Sequence, residues 1–196
     1  MTSRDRLVKR GFDLIVAVLA LVFLWPVIFV SWFIVGHDTG ASGFFRQVRV
    51  GQNGKTFRIV KLRTMRNVGG TTVTTANDAR ITIWGGRFRR WKLDELPQFW
   101  NVMLGQMSIV GPRPDVPGYL DRLKGDEARL LLLKPGITGP ATLKYRKEEE
   151  ILAAQGDPET YNEQVIWPDK VKINMDYLDN WSLARDLKIM IETVRG

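Results

Sequence analysis

The apolar positions of this chain fall into one long block followed by several short, periodic runs. From Phe12 to Val35 the sequence reads FDLIVAVLALVFLWPVIFVSWFIV, with Asp13 its only ionisable residue. Such a block predicts a helix in lipid, since its 24 residues would reach about 36 Å as a straight helix, against a hydrocarbon core of about 30 Å. Pro26 removes its own N–H donor to the Val22 carbonyl, which predicts a kink or break. The arms on either side would measure about 21 Å and about 14 Å, and neither spans alone. Arg4, Arg6, Lys9 and Arg10 precede the block and Arg46, Arg49, Lys55 and Arg58 follow it, so both flanks carry the positive excess of a cytoplasmic side. A helix that enters and leaves by one face accounts for this; a spanning helix and a buried core helix are the competing readings. A cleaved signal peptide fits poorly, because Trp32, Phe33, Ile34, Val35 and His37 stand where small residues belong.

Beyond the glycine-rich exit from Gly36 to Gly43, Phe44 to Val50 and Thr56 to Leu62 are β-prone runs around Gln52-Asn53-Gly54, and the Asn-Gly pair predicts a hairpin. Asn67 to Ala79, rich in Thr and Gly, reads as a loop. Trp91 to Met103 is helix-like except at Pro97. Tyr119 to Leu133 predicts an amphipathic helix stopped by Lys134-Pro135-Gly136. Lys147 to Ala154 and Leu183 to Val194 predict two more, the last with Leu183, Leu187, Ile191 and Val194 on one stripe.

The composition narrows the chemistry. At 196 residues with 44% hydrophobic and 26% charged side chains, the chain suits one packed domain with a membrane element. Its net charge of +8 calls for an anionic partner. That charge is uneven: 16 basic and four acidic residues precede Asp94, and 13 basic and 17 acidic residues follow from it. With no cysteine and a single histidine, His37, disulfides, thiol nucleophiles and thiolate metal sites are excluded, and imidazole-based hydrolysis is disfavoured. Carboxylates, hydroxyls, lysines and arginines remain.

Arg46 to Arg66 carries seven basic residues and no acid; a charge-protected edge strand would explain most of them. Lys61 and Arg63 alternate with Val60 and Leu62, so they share a strand face and could converge on a phosphate. Gly54-Lys55-Thr56 resembles the end of a nucleotide P-loop, but that motif needs glycine where Arg49 stands. Asp94 and Glu95 are either a helix cap with a first-turn acid or a catalytic acid pair. Gly111-Pro112-Arg113-Pro114 frames one arginine between two prolines, fit for gripping a phosphate or for a plain turn. Trp25, Trp32, Trp84, Trp91 and Trp100 could anchor at a membrane interface, with core packing the alternative for the last three.

Taken in order, these motifs resemble the monotopic phosphoglycosyl transferases, bacterial sugar transferases of small form. The resemblance is carried by Lys9-Arg10-Gly11-Phe12-Asp13, Arg49 to Lys55, Lys61-Leu62-Arg63-Thr64-Met65, Asn77 to Thr82, Leu93-Asp94-Glu95-Leu96-Pro97-Gln98, Met107 to Pro114 and Lys134-Pro135-Gly136-Ile137-Thr138-Gly139. It implies an α+β architecture: a re-entrant N-terminal membrane helix-break-helix over residues 1–40, and a cytoplasmic catalytic domain over residues 41–196 with amphipathic interfacial helices and a short β-hairpin. It implies transfer of a phosphosugar from a UDP-sugar to polyprenol (undecaprenyl) phosphate, releasing UMP, at the cytoplasmic face of the bacterial inner membrane. By the same resemblance Asp94 is the nucleophile of a covalent, ping-pong mechanism and a ligand of Mg²⁺, and Glu95 assists. Lys61, Arg63, Arg80 and Arg113 are the candidates for holding phosphates. Partners would be both substrates and the phospholipid bilayer, without nucleic acid; the sugar and the oligomeric state stay open. The chain departs from the family pattern at Pro140-Ala141-Thr142 and at Asn174, both in the half expected to select the sugar.

A non-catalytic alternative is a membrane-tethered basic protein that grips nucleic acid or acidic lipid. Asp94-Glu95 among arginines discriminates the two, because carboxylates weaken a polyanion-binding face and a metal-assisted transferase requires them.

Overall fold

The computed structural model describes residues 1–66 and 78–195, so most of the loop expected over Asn67 to Ala79 lies outside the described residues. The first element, α1 (Ser3–Thr39), begins at a capping box between Thr2 and Asp5 and ends on left-handed Gly40. Pro26 lies within it. The helical run continues through it: a proline forfeits one intrahelical bond, and an apolar helix keeps the bonds on either side.

One stripe of α1 is buried and the rest is bare. Lys9, Asp13 and Ala17 are buried near its start and Ser31 and Val35 near its end. Ala17 belongs to the main core with Val50, Val102, Met107, Ile109, Val110, Leu130 and Tyr177, whereas Val35 joins a smaller cluster with Leu62 and Phe88. The two ends of α1 thus dock at two places on the same domain. Between and around them Ile15, Leu19, Val22, Phe23, Trp25, Phe29, Val30 and Phe33 stay exposed, far more apolar surface than a protein in water leaves open.

The predicted hairpin forms. Strands β1 (Phe44–Val50) and β2 (Thr56–Leu62) pair antiparallel with Val50 opposite Thr56, and the turn places Asn53 at φ 56° and Gly54 at φ 72°, left-handed angles that this pair tolerates. A second two-stranded sheet was not foreseen: β3 (Ser108–Val110) lies parallel to β4 (Gly136–Thr138). Helices α2 (Ile83–Arg90) and α3 (Gln98–Met103) flank a 3₁₀ turn over Leu93–Glu95, so Trp91 to Met103 is not one helix. Trp91 caps the end of α2, and Lys92, left-handed at φ 56°, starts the turn.

The helix expected from Tyr119 to Leu133 is replaced by two 3₁₀ stretches, Leu120–Arg122 and Gly125–Leu132. Gly125, at φ 59°, interrupts any α-helical run through the segment. The C-terminal half completes α4 (Pro140–Lys144), α5 (Glu148–Ala153), α6 (Pro158–Tyr161), a π-turn over Asn162–Ile166, α7 (Trp167–Asp179) and α8 (Leu183–Arg195). On α8 the buried residues are Asp186 and Ile189, and the predicted stripe leaves Leu187, Ile191 and Val194 exposed.

Asp186 shows what a saturated buried charge looks like. It accepts Lys9 Nζ at 2.6 Å, the Tyr177 hydroxyl at 2.6 Å and Trp181 Nε1 at 3.1 Å, tying the start of α1 to α7 and α8. One turn further along α1, Asp13 accepts the Ile109 backbone N–H at 3.0 Å, fixing β3.

Candidate active site

The site is assembled by three stitches. Asn101 on α3 accepts the Val60 N–H through Oδ1 at 3.0 Å and donates through Nδ2 to the Arg58 carbonyl at 2.8 Å, clamping α3 and the turn before it onto β2. Gly85 lets α2 touch the end of β2, since a Cβ there would fall 2.1 Å from the Thr64 carbonyl oxygen. The β3–β4 pair brings Gly111 and Gly136 backbone to backbone: a Cβ on Gly111 would meet the Lys134 carbonyl at 2.4 Å, and one on Gly136 would meet the Gly111 nitrogen at 2.2 Å. Only glycine permits that approach, and it fixes the origin of the Pro112-Arg113-Pro114 loop.

At the centre are Asp94 and Glu95, both buried. Glu95 Oε1 accepts from Lys61 Nζ at 3.0 Å and from Arg113 Nη2 at 2.9 Å. Two cations from separate elements thereby sit within about 6 Å of each other across one oxygen. Burial alone would raise the Glu95 carboxyl, but Arg113 and Lys61 outweigh it and hold it well below the usual carboxylate range. Glu95 in turn raises Arg113. Burial lowers Lys61 against the pull of Glu95. Arg113 is the open member, its side chain 39% exposed against 17% for Lys61, so it faces whatever enters.

Asp94 is the opposite case. Its Oδ1 is buried without a hydrogen-bond partner among the described residues, and burial together with the Glu95 charge pushes its carboxyl up, opposed by Lys61, Arg89 and Lys92. It caps nothing: the 3₁₀ turn has no side-chain cap. A buried acceptor left bare is costly, and here the bare atom lies next to a cation pair. Mg²⁺ is normally held by one or two carboxylates together with substrate phosphates, and Asp94 Oδ1 fits that donor type. Among the described residues no group of three or more His, Asp or Glu side chains forms an all-protein cage.

Of the sequence candidates, Asp94, Glu95, Lys61 and Arg113 are brought together. Arg63 is not: its guanidinium donates to the Ser42 carbonyl at 2.8 Å and the Phe44 carbonyl at 3.3 Å, closing the link between α1 and β1 instead of joining Lys61. Arg80 is clamped to Asp78, with Nε 2.9 Å from Oδ1. Sequence reasoning passed over Arg49, which donates to the Pro114 carbonyl at 3.0 Å and braces the arginine loop, and Arg89, which pairs with Glu149 and acts on Asp94 through its charge. Both stood within basic runs where spacing did not single them out. Gln98, buried with an unpartnered Nε2, was also passed over. The two departures carry unpartnered buried atoms as well, Thr142 Oγ1 on α4 and Asn174 Oδ1 on α7. Trp84, Trp91 and Trp100 prove exposed, which removes core packing as their explanation.

Residues 4–196 match the family model described as bacterial sugar transferase. The chain is 36% identical to the uncharacterized sugar transferase EpsL of Bacillus subtilis, over 96% of this chain and 86% of that protein. It is 33% identical to the exopolysaccharide production protein ExoY of Sinorhizobium fredii, over 95% and 83%. It is also 35% identical to the UDP-glucose:undecaprenyl-phosphate glucose-1-phosphate transferase of Escherichia coli K12, matching 99% of this chain and 41% of that longer protein.

Proposed function

The chain belongs to the bacterial sugar transferase family, and on that premise we propose that it transfers a sugar 1-phosphate from a UDP-sugar to polyprenol phosphate, releasing UMP. The observation that carries this reading is the bare, buried Asp94 Oδ1 beside a cation pair that Glu95 holds in place. The similarity to a relative named for that reaction supports it.

In the first displacement an Asp94 carboxylate oxygen attacks the β-phosphorus of the UDP-sugar; the bond from that phosphorus to the bridging oxygen breaks and UMP leaves with the electron pair. In the second, a polyprenol phosphate oxygen attacks the same phosphorus and Asp94 is released. Splitting the transfer lets one site serve a soluble donor and a lipid acceptor in turn. Lys61 and Arg113 neutralise phosphate charge, and Glu95 keeps them from drifting apart; positioning and charge are most of what phosphoryl transfer requires. Asp94 would hold Mg²⁺, which supplies further neutralisation of the diphosphate when bound.

The membrane part of the reading is that α1 is re-entrant and the domain monotopic at the cytoplasmic face. What supports it is that the Lys9–Asp13 end and the Val35 end of α1 dock on one domain. A crossing helix would leave one end on the far side of the bilayer. Exposed Ile83, Trp84, Trp91, Trp100 and Leu104, on and around α2 and α3, suit the same interface.

Two measurements test the proposal. Purified protein with Mg²⁺, polyprenol phosphate and a panel of UDP-sugars releases UMP with at least one of them; no release from folded protein across the panel defeats the transferase reading. Ser3→Cys and Gly40→Cys, in a chain without native cysteine, both label from the cytoplasmic side; labelling from opposite sides restores the spanning helix.

A further inference from the structure

A cavity of about 670 Å³ lies away from the acid pair, between the first turns of α1, the tip of the β1–β2 hairpin and the segment after the Gly125–Leu132 turn. It shares no residue with the Asp94 site. Arg10, which lines it, donates to the Val102 and Met103 carbonyls at 2.6 and 2.9 Å, the C-terminal end of α3, whereas Asp94 precedes the start of α3. The walls are strongly cationic: Arg6, Lys9, Arg10, Arg129 and Lys134 face two carboxylates, Asp13 and Asp179.

Those carboxylates are already committed, Asp13 to the Ile109 N–H and Asp179 to Arg129. Lys9 is matched by Asp186. Arg10 has only carbonyl partners, and Arg6 and Lys134 have no ion pair among the described residues. Arg10 and Lys134 are also held close: a Cβ on Gly105 would be 3.4 Å from Arg10 Nη2 and 3.7 Å from Lys134 Nζ, so the two cations lie within about 7 Å of each other. Burial, and then the charge of Arg10, depress Lys134, opposed by the charge of Asp13. The remaining wall is apolar, with Leu132, Leu133 and Leu178.

We propose that this cavity binds the phosphate headgroup of an anionic membrane phospholipid, separately from the catalytic site. The inference rests on α1 lying in a bilayer. The cationic residues of α1 that line the cavity are interleaved with exposed Leu7, Val8, Leu14 and Ile15, which sets its mouth where α1 enters lipid, at headgroup depth, and the leucine wall takes the first part of an acyl chain. Bulk phospholipid is favoured over polyprenol phosphate, because an acceptor phosphate bound beyond the far end of α3 could not reach Asp94.

The test is native mass spectrometry of the full chain released from nanodiscs of phosphatidylcholine and phosphatidylglycerol at 4:1. The wild type retains one phosphatidylglycerol, enriched at least five-fold over the nanodisc ratio, and neither free sn-glycerol 3-phosphate nor polyprenol phosphate displaces it. Arg6→Gln with Lys134→Gln abolishes the enrichment, while Arg90→Gln with Arg122→Gln, which removes the same charge from exposed positions elsewhere, preserves it. Equal loss in both double variants would mean diffuse surface attraction and would overturn the site. Displacement by sn-glycerol 3-phosphate or by polyprenol phosphate would overturn the phospholipid as its occupant. Flotation on pure phosphatidylcholine vesicles reads the membrane premise alone: wild-type protein that floats but shows no enrichment defeats this inference only, and protein that does not float defeats both.

Discussion

Two buried carboxylates, Asp186 and Asp94, are treated in opposite ways. Asp186 takes three donors, from Lys9, Tyr177 and Trp181, and nothing is left over. Asp94 keeps an oxygen bare while its neighbour Glu95 collects the cations. The difference separates structure from chemistry: a saturated acid ties elements together, and an unsaturated one, next to fixed positive charge, has an affinity to spend on something that arrives.

Exchanging the acids for amides breaks the comparison most sharply. Asp94→Asn is expected to lower transfer by about 10³-fold or more if Asp94 is the nucleophile proposed above, with the thermal midpoint unchanged or raised because Oδ1 has no partner among the described residues to lose. Asp186→Asn reverses the pattern, costing about 3–5 kcal/mol of stability by stranding buried Lys9, with UMP release per folded molecule near normal. Thermal melts and UMP release measured on the same samples decide it; an Asp94→Asn enzyme with near-normal turnover would remove the covalent mechanism.

Glu95→Gln probes the neighbour. It removes the charge that binds Lys61 to Arg113, and misplacing the two cations proposed to hold the phosphates by about 1 Å is expected to cost about 10²-fold in kcat/KM. Arg63→Gln, at a half-buried residue whose guanidinium serves backbone carbonyls, is expected to change kcat/KM far less. An equal loss in both would mean that Arg63 reaches the phosphates after all.

The smallest effect is one of pH, and it has opposite signs at two acids. Glu95 is held low by its cations, so its contribution is complete above the ordinary glutamate value near 4.5 and is lost as pH falls toward the folded one. Asp115, two residues beyond Arg113, is pushed up to about 6 by burial; its contribution is complete below the ordinary value of 3.8 and is lost as pH rises through 6. Asp115→Asn is therefore expected to melt above wild type at pH 8 and to converge with it near pH 4. Glu95→Gln, for its part, reduces the loss of stability below pH 4.5. Melts across that range check both signs.

Asp94 was legible in the sequence and Asp186 was not, and the physical reasons for what could be read differ by element. The hairpin follows from Asn53-Gly54 between β-prone runs, and α1 from an apolar block; local rules suffice for each. Asp94 and Arg113 stood out because a carboxylate pair and a proline-framed arginine are informative without their surroundings. The β3–β4 pairing was hidden because three-residue strands leave no periodicity, and its register depends on backbone contact between Gly111 and Gly136, 25 positions apart in the chain. The helix expected over Tyr119 to Leu133 had the correct spacing of apolar residues and failed at one backbone angle, that of Gly125. Lys61 and Arg63 were assigned together by strand alternation, which fixes the direction a side chain leaves the backbone and not where a long guanidinium ends.

The pairing of Lys9 with Asp186 also sets a timetable. The two residues are 177 positions apart, and at about 5–20 residues per second of synthesis the lysine waits on the order of 10–35 s for its counter-charge to be made. The apolar part of α1 exists throughout that interval, so it meets lipid or a chaperone before the domain that will hold it has a fold. The lock between helix and domain closes only once α8 has been made, so the apolar surface of α1 stays uncovered by that contact for the whole interval.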